Sequence, residues 1–277
     1  MDYRERFRVR PGKGVKLADI DPGFKDRHES HEAAASESAR YAIRLRELQD
    51  LLYAERRRSL LICLQGMDTG GKDGTINHVL AAMNPQGCRV AAFRQPSVEE
   101  AAHDFLWRAH RAAPARGEVV IFNRSHYEDV LVVRVHDLVP KEVWSQRYER
   151  ITAFEKGLAE HDTCVLKFYL HISADEQLER FKERLEDPTK QWKISESDYA
   201  ERPRWNDYMR AYEDALSRCS TDYAPWFVIP ANHKWFRNLA IARIIVEQLE
   251  EWNMRYPKPT VDLARIRDEY HAAKKAT

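Results

Sequence analysis

Residues 59–76 read S-L-L-I-C-L-Q-G-M-D-T-G-G-K-D-G-T-I and carry the strongest structural signal in the chain. The apolar run at 59–65 is short and is followed by a glycine, which predicts a buried strand. The next seven residues fit the pattern GxxxxGK, and a helical pattern begins at Ile76. A strand, a glycine-rich loop and a helix in this order predict a phosphate-binding loop rather than a simple tight turn.

The residue types in this loop suit anion binding. Glycines allow successive backbone N–H groups to point inward, and the helix that follows offers free N–H groups and the positive end of its dipole. Lys72 adds a mobile positive charge. The predicted phosphate contacts are Gly66, Thr69, Gly70, Gly71, Lys72, Asp73, Gly74 and Thr75.

Two carboxylates set this loop apart. Asp73 occupies the place after the lysine where Ser or Thr commonly binds magnesium, and Asp68 lies inside the loop. A carboxylate beside phosphates repels them unless a cation lies between, so we expect Asp68 to bind Mg²⁺. The alternative is that Asp68 only stabilises a turn through nearby backbone groups.

The remaining apolar runs predict a parallel sheet. They lie at 89–93, 118–123, 163–172 and 226–230, lack strict alternation and are separated by helical patterns. Such strands are typical of a parallel sheet covered by helices on both faces. We predict helices at about 31–58 and from Pro140 to about 161. The expected fold is α/β, one domain over 1–277, with an irregular N-terminal arm (1–30) and a helical lid insertion (180–220).

Composition excludes several classes of protein. Lys and Arg total 45 and Asp and Glu total 44, a net charge of +1, which argues against a globally basic nucleic-acid binder. No apolar run reaches the roughly 18 residues of a membrane span, and the charged N-terminus is unlike a signal peptide. The four cysteines lack CxxC spacing, as expected for reduced thiols. We expect a cytoplasmic protein without membrane or nucleic-acid partners.

A second group of polar residues follows the run at 118–123, in I-F-N-R-S-H-Y-E-D-V-L-V-V-R-V at 121–135. The carboxyl end of a neighbouring parallel strand would place it beside the phosphate loop. Arg124 can bind phosphate oxygens through two N–H groups. Glu128 and Asp129 are candidates for a second metal or for positioning an acceptor, and Arg134 for phosphate binding. The alternative for the two acids is that they only stabilise the first turn of a helix through its dipole. The alternative for Arg134 is a structural ion pair.

A third group lies in the predicted lid. Arg180 and Arg184 are four residues apart on one helix face, and Lys190 and Lys193 follow Pro188, which ends that helix. Residues 180–204 contain seven cations but also six acids. Composition alone therefore favours a solvated helical hairpin, and a phosphate site would require the cations to share one face.

Taken together, these motifs resemble the polyphosphate kinase 2 family over roughly residues 30–255. The matching segments are G-M-D-T-G-G-K-D-G at 66–74, N-R-S-H-Y-E-D at 123–129, R-F-K-E-R-L-E-D-P-T-K-Q-W-K-I-S at 180–195, R-W-N-D-Y at 204–208 and A-P-W-F-V-I-P at 224–230.

The resemblance implies a P-loop kinase fold like that of thymidylate kinases, with a five-stranded parallel sheet. It also implies magnesium-dependent, reversible transfer of the terminal phosphoryl group of inorganic polyphosphate to a nucleotide, with Mn²⁺ as an alternative metal. Asp68, Lys72 and Arg124 match catalytic positions of the family. Arg180, Arg184, Lys190 and Lys193 match the basic lid positions that face polyphosphate.

This chain departs from the family at the second motif. Many relatives have D-R-S-W-Y-N-R where this chain has N-R-S-H-Y-E-D, so Asn123 replaces a carboxylate and a metal role cannot be transferred to it. Glu128 and Asp129 replace an Asn-Arg pair. The H-Y-E-D form resembles the subgroup that acts on both nucleoside mono- and diphosphates, which implies ADP and AMP as acceptors and ATP as a product.

Two other functions stay open from the sequence. An ATP-dependent nucleoside monophosphate kinase would share the phosphate loop but would not need a long cationic lid. A non-catalytic nucleotide or polyphosphate sensor would not need Asp68, Lys72 and Arg124 together. We expect a homo-oligomer, while the number of subunits, the base preference and the preferred direction of transfer are not readable from the residues.

Overall fold

The apolar runs of the sequence form one sheet. The computed structural model describes residues 1–28 and 30–276, and the strands found there are β1 (Ser59–Gly66), β2 (Cys88–Ala92), β3 (Val119–Asn123), β4 (Thr163–His171) and β5 (Trp226–Pro230). Their order is β2-β3-β1-β4-β5, and all neighbours are parallel. The predicted five-stranded parallel sheet is confirmed, with strand limits that differ by at most one residue.

Helices connect the strands and precede and follow the sheet. They are α1 (Tyr3–Phe7), α2 (His31–Glu55), α3 (Lys72–Leu80), α4 (Val98–Ala101), α5 (Trp107–Ala112), α6 (Val132–Val135), α7 (Lys141–Trp144), α8 (Arg147–Glu160), α9 (Ala174–Glu186), α10 (Glu196–Glu201), α11 (Trp205–Cys219), α12 (Lys234–Glu250) and α13 (Leu263–Ala276). Short 3₁₀ turns include Leu17–Asp19, His126–Val130 and Gln191–Lys193. None of the described helices is long and apolar enough to cross a bilayer.

The position of each strand explains its sequence. Every residue of β1 and β5 is buried, whereas β2, at the edge, is largely accessible. Strands buried on both faces have no polar face to alternate with, which is why the runs read as continuously apolar. The helix α2 packs along α12, and its buried Leu45, Leu48 and Leu52 lie at the helical spacing seen in the sequence.

The sheet order brings two loops together. β1 lies between β3 and β4, with Leu64 beside Asn123 and Gly66 beside Leu170. A Cβ at Gly66 would lie 2.9 Å from the Leu170 carbonyl oxygen, so this position requires glycine. The loops that follow β1 and β3 therefore leave the sheet side by side, at the edge where ligands bind in open α/β sheets.

Two predicted helices differ in their limits. The helix predicted to end at 58 ends at Glu55, where Arg56 adopts φ +52° and reverses the chain. The helix predicted from Pro140 to about 161 is two helices, α7 and α8. The first helix ends before the polar run 56–58, and the second is interrupted at Ser145 and Gln146. Sequence pattern fixes helix limits only to within a few residues.

The N-terminal segment is more ordered than predicted. Residues 1–30 were expected to be irregular, but they contain α1 and a bridge from Arg8 to Phe227 of β5. Tyr3 and Phe7 lie four residues apart on one helical face, and both are buried with edge-to-face contacts to Phe236. Because burial of two aromatic rings offsets the cost of ordering a short segment, the arm becomes part of the core.

We expect Tyr3→Phe to lower the free energy of unfolding by about 1 kcal/mol. The Tyr3 hydroxyl donates to Asp26 Oδ2 at 2.9 Å, and the variant removes this bond while keeping the packed ring. Chemical denaturation of both proteins measures the difference. An unchanged midpoint would show that the hydroxyl, although paired, contributes nothing to stability.

Candidate functional site

The loop 66–75 joins β1 to α3 in the way the sequence indicates. The Gly70 N–H donates to the Met67 carbonyl at 2.9 Å, and the Thr75 N–H donates to the Gly71 carbonyl at 2.9 Å. Thr69 and Gly71 have positive φ angles, +61° and +98°, that curve the backbone. The first turn of α3 follows at once, so backbone N–H groups and a helix N-terminus share one concavity.

Lys72 folds back over this loop. Its ammonium group donates to the carbonyl oxygens of Gly66 at 2.7 Å and Met67 at 3.2 Å. Burial and the nearby charge of Arg124 lower the pKa of Lys72 to about 8. Neither carbonyl neutralises the charge, so an anion in the loop would find a cation already in place.

Arg124 joins the loop after β3 to the phosphate loop. Its guanidinium lies 2.9 Å from Asp68 and 3.6 Å from Glu128. Its backbone has φ +61°, an unfavourable conformation for a residue with a side chain. Gln65 donates to Glu128 at 2.9 Å and so orients that carboxylate. The structure thus brings together Asp68, Lys72, Arg124 and Glu128, as predicted.

A buried polar network supports the loop after β3. Glu155 accepts hydrogen bonds from Tyr127 at 2.9 Å and Lys167 at 2.5 Å, and its carboxylate lies 3.1 Å from His126 Nε2. Burial alone would raise the pKa of Glu155, but Lys167 and His126 lower it below its usual value. His126 is therefore a structural residue, and the network fixes the backbone next to Arg124.

A cleft of about 1040 Å³ opens above the loop, and we call it the phosphate channel. Nine cationic and three acidic side chains contribute to its described lining. The cations are Lys72, Arg94, Arg124, Arg180, Arg184, Lys190, Lys193, Lys234 and Arg237. The predicted lid cations thus do share one face, since Glu183 is the acid of residues 180–204 found among the described lining residues.

A second cleft, of about 30 Å³, also borders Arg124, and we call it the tyrosine cleft. It is lined by Asp68, Arg124, Glu128, Glu201, Tyr208 and Tyr212, with several apolar and backbone groups. Asp68 and Arg124 line both clefts. The two clefts therefore meet at these residues: the channel has room for a polyanion, whereas the tyrosine cleft would have to widen to admit a second ligand.

Other predicted loop residues also lie at the channel. Thr69, Gly71, Asp73 and Gly74 line it, and Asp73 accepts a hydrogen bond from Asn123 at 2.8 Å. The buried hydroxyls of Thr69 and Thr75 have no hydrogen-bond partner within the described part of the chain. Such unpaired polar atoms are typical of a site that a ligand completes.

Arg180 has a structural role that the sequence did not reveal. It is 4% exposed and donates to the carbonyls of Thr69 and Asn232, at 2.9 and 3.0 Å, and to Glu176 at 2.7 Å. A guanidinium used in this way holds the phosphate loop against the loop after β5. Arg180 also borders the channel, so its role toward polyphosphate stays a prediction beside this structural role.

Asp129 and Arg134 lie outside the site. Asp129 is held by Arg147 at 2.8 Å and lies 3.8 Å from Arg108, while burial raises its pKa to about 6. Arg134 donates to Asp214 at 2.6 Å and stacks on Trp144. Neither residue lines the channel or the tyrosine cleft. We therefore remove Asp129 from the acceptor and metal candidates and Arg134 from the phosphate contacts.

Sequence reasoning missed Gln65, Arg94, Lys234 and Arg237. The last three follow the carboxyl ends of β2 and β5, so the rule that ligands bind at this edge of a parallel sheet could have found them. Gln65 reads as one more residue of a buried strand, and its contact with Glu128 exists only after β1 and β3 pair.

The carboxylates of the site fit a hard divalent cation. Asp68 lines both clefts and Glu128 lines the tyrosine cleft, and magnesium prefers such oxygen ligands. Among the described residues no cluster of three or more His, Cys, Asp or Glu side chains could hold a metal by itself. A metal here would share its ligands with phosphate oxygens, which is the usual arrangement for magnesium.

Known sequences match this chain over most of its length. The family model Polyphosphate kinase 2 (PPK2) matches residues 26–257. The AMP/ADP-polyphosphate phosphotransferase of Meiothermus ruber is 50% identical over 95% of this chain and 98% of its own. The ADP-polyphosphate phosphotransferase of Rhodopseudomonas palustris is 42% identical, with 92% and 93% of the two chains covered.

A solved structure matches the fold. The crystal structure of Polyphosphate Kinase 2 from Arthrobacter aurescens superimposes with a TM-score of 0.94 at 41% identity, covering 98% of this chain and 97% of that chain. The match includes the sheet, the phosphate loop and the helices at 180–220. The predicted P-loop kinase fold is confirmed.

Proposed function

Because this chain belongs to the polyphosphate kinase 2 family, we propose that it is a phosphotransferase that moves the terminal phosphoryl group of inorganic polyphosphate to ADP and AMP, and the reverse. The observation that carries the proposal is the phosphate channel. Its cations extend from the phosphate loop to Lys190 and Lys193, and Phe93 is the aromatic side chain among its described lining residues. A long anion without a base suits this lining better than a nucleotide donor does.

We propose that the acceptor binds at the tyrosine cleft, which must widen from its volume of about 30 Å³ to admit a nucleotide. Tyr208 and Tyr212 offer aromatic surface there, and Glu128 lies on the same wall as Arg124. Acceptance of both AMP and ADP is supported by the H-Y-E-D form of the second motif and by the name of the Meiothermus ruber relative, which is 50% identical. Glu128 is our candidate for positioning the acceptor, whereas Asp129 is not.

The transfer itself needs positioning and charge neutralisation rather than a covalent enzyme intermediate. A terminal phosphate oxygen of the acceptor forms a bond to the end phosphorus of polyphosphate. The bridging P–O bond breaks, and its electron pair stays on the shortened chain. Lys72 neutralises charge on the transferring group, and Arg124, at the boundary of the two clefts, holds donor and acceptor together.

We propose that Asp68, with Glu128, holds magnesium at this boundary, with manganese as an alternative. When bound, the metal would neutralise phosphate charge and help to orient the reacting oxygens. Both carboxylates lie within 3.6 Å of Arg124. A homo-oligomer stays a prediction, which light scattering of the purified protein would check.

Purified protein with magnesium and long-chain polyphosphate, and no ATP, tests the function. AMP and ADP are offered separately and the products are separated by chromatography. Phosphorylation of both acceptors is expected. Product from ADP alone would retain the phosphotransferase and reject the dual acceptor. Product from AMP only when ATP is supplied would indicate a monophosphate kinase, and binding without any product would indicate a sensor.

The pKa of Lys72 predicts how activity depends on pH. Since the free protein holds this pKa at about 8, the ammonium loses its proton above that pH and the channel loses a cation. We expect kcat/KM for polyphosphate to fall above pH 8, because this ratio reports the free enzyme. Bound phosphate favours the charged lysine, so kcat should fall only at higher pH. A flat kcat/KM up to pH 9.5 would contradict this role.

A further inference from the structure

Arg237 is a buried cation at the floor of the phosphate channel. It lies one turn into α12, is 3% exposed and lines the channel. Its guanidinium packs against the first turn of α3, where a Cβ at Gly71 would overlap it and a Cβ at Gly74 would lie 3.2 Å from Nη2. The group therefore sits between the N-terminal turns of α3 and α12.

No acid neutralises this charge within residues 1–28 and 30–276. The hydrogen bonds of Arg237 run to Asn238 Oδ1, from Nε at 3.1 Å and from Nη2 at 2.9 Å. Asn238 is neutral, so the positive charge stays uncompensated. Burial and the neighbouring Arg180 both oppose the charge and lower the pKa of Arg237 to about 9.

Two other cations of the channel, unlike Arg237, have acidic partners. Arg180 is equally buried, but it is paired with Glu176 and with backbone carbonyls. Lys234, one turn earlier on α12, is half exposed and bonds to Glu183 at 2.7 Å. Arg180 and Lys234 each have a carboxylate partner, whereas within the described residues the Arg237 guanidinium donates only to the neutral amide oxygen of Asn238.

Helix dipoles make the position of Arg237 more unusual. The N-terminal turn of a helix carries partial positive charge and favours anions, so a cation there is disfavoured. Arg237 meets two such turns, and buried charges are normally paired. Two helix N-termini and a guanidinium without an acidic partner in the described residues place positive charge at one point. A bound anion would neutralise that charge.

We propose that Arg237 binds a phosphate of the donor polyphosphate behind the one that is transferred, and so sets the affinity for the donor chain. The proposal rests on the proposed function. Arg237 lines the phosphate channel and not the tyrosine cleft, whereas Lys72 and Arg124 mark the place of transfer. The planar guanidinium can give two N–H groups to one phosphate, which a lysine cannot do.

The test compares Arg237→Met and Arg237→Lys with the wild type in two assays. The first measures KM for polyphosphate and for ADP separately. The second measures the rise in Tm that inorganic tripolyphosphate produces, which needs no turnover. Arg265→Gln, which removes an exposed arginine on α13, is the matched control and should behave as wild type.

For Arg237→Met we expect KM for polyphosphate to rise about tenfold or more, with kcat and KM for ADP within about twofold. The free variant should melt above the wild type, because an unpaired buried charge is gone, and tripolyphosphate should no longer raise Tm. Arg237→Lys keeps the charge but cannot give two N–H groups to one phosphate. Its KM for polyphosphate should rise less than that of Arg237→Met, and its tripolyphosphate Tm shift should be smaller than that of the wild type.

Several results would overturn the proposal. An unchanged tripolyphosphate shift in both variants would show that Arg237 does not contact the anion. Equal rises in the two KM values would place it at the acceptor, and a fall in kcat alone would make it a support of the loop. If Arg237→Met does not fold, the lysine variant decides by the same criteria. A wild type inactive with polyphosphate would reject the proposed function, while the tripolyphosphate shift would still test Arg237.

Discussion

Lys72→Met is expected to lower kcat for ATP formation from ADP and polyphosphate by 10²- to 10³-fold, or roughly 3–4 kcal/mol in the barrier. The ammonium group lies within the phosphate loop and is the cation best placed to follow the transferring group. Methionine keeps an unbranched side chain of similar length, so the variant removes the charge and leaves the packing.

Folding should survive this change. Burial already disfavours the Lys72 ammonium, as its lowered pKa shows, so the loss of two hydrogen bonds to carbonyls is offset by removal of a poorly solvated charge. Thermal unfolding of the variant checks this point. Lys274→Met, on the exposed surface of α13, serves as the control and should keep full activity. Turnover near that of the wild type in Lys72→Met would refute the central role of the loop.

Asp68→Asn is expected to be the second most damaging change, with a loss of kcat of roughly 10²-fold or more. The carboxylate is part of the boundary between the two clefts and lies 2.9 Å from Arg124. Asparagine keeps the shape and the ability to accept hydrogen bonds from a turn. The substitution therefore separates charge from turn geometry, which were the two interpretations left open by the sequence.

The magnesium dependence identifies what the charge of Asp68 does. If it holds the metal, Asp68→Asn should need a higher magnesium concentration for half-maximal rate. If it only orients Arg124, kcat should fall at an unchanged magnesium requirement, and the metal role would be rejected. Activity equal to that of the wild type would leave Asp68 as a turn residue. Asp268→Asn, a change on the exposed surface of α13, is the control and should alter neither quantity.

The acids and arginines of the second motif show where prediction from sequence stops. Glu128 and Asp129 are neighbours with the same chemistry, yet Glu128 lines the tyrosine cleft and Asp129 turns to Arg147 and Arg108. Arg124 and Arg134 also differ in this respect: Arg124 lines both clefts, whereas Arg134 forms an ion pair with Asp214 of α11. Each choice depends on a partner distant in the chain.

Local rules were sufficient for the sheet and the phosphate loop, whereas the lid cations were assigned through the family resemblance, since composition alone favoured a solvated hairpin. A strand, a loop or a helix start depends on residues within about one turn of each other, so the order of residue types along 59–76 already determined the anion-binding loop and its place in an α/β fold. The same rules could not determine which buried cations are neutralised. Arg180 and Arg237 both lie on a helix that follows a strand, but tertiary packing places the first against the backbone carbonyls of Thr69 and Asn232 and leaves the second facing the channel. A charged side chain takes its role from the partners that folding brings within a few ångströms, and only the tertiary structure decides those partners.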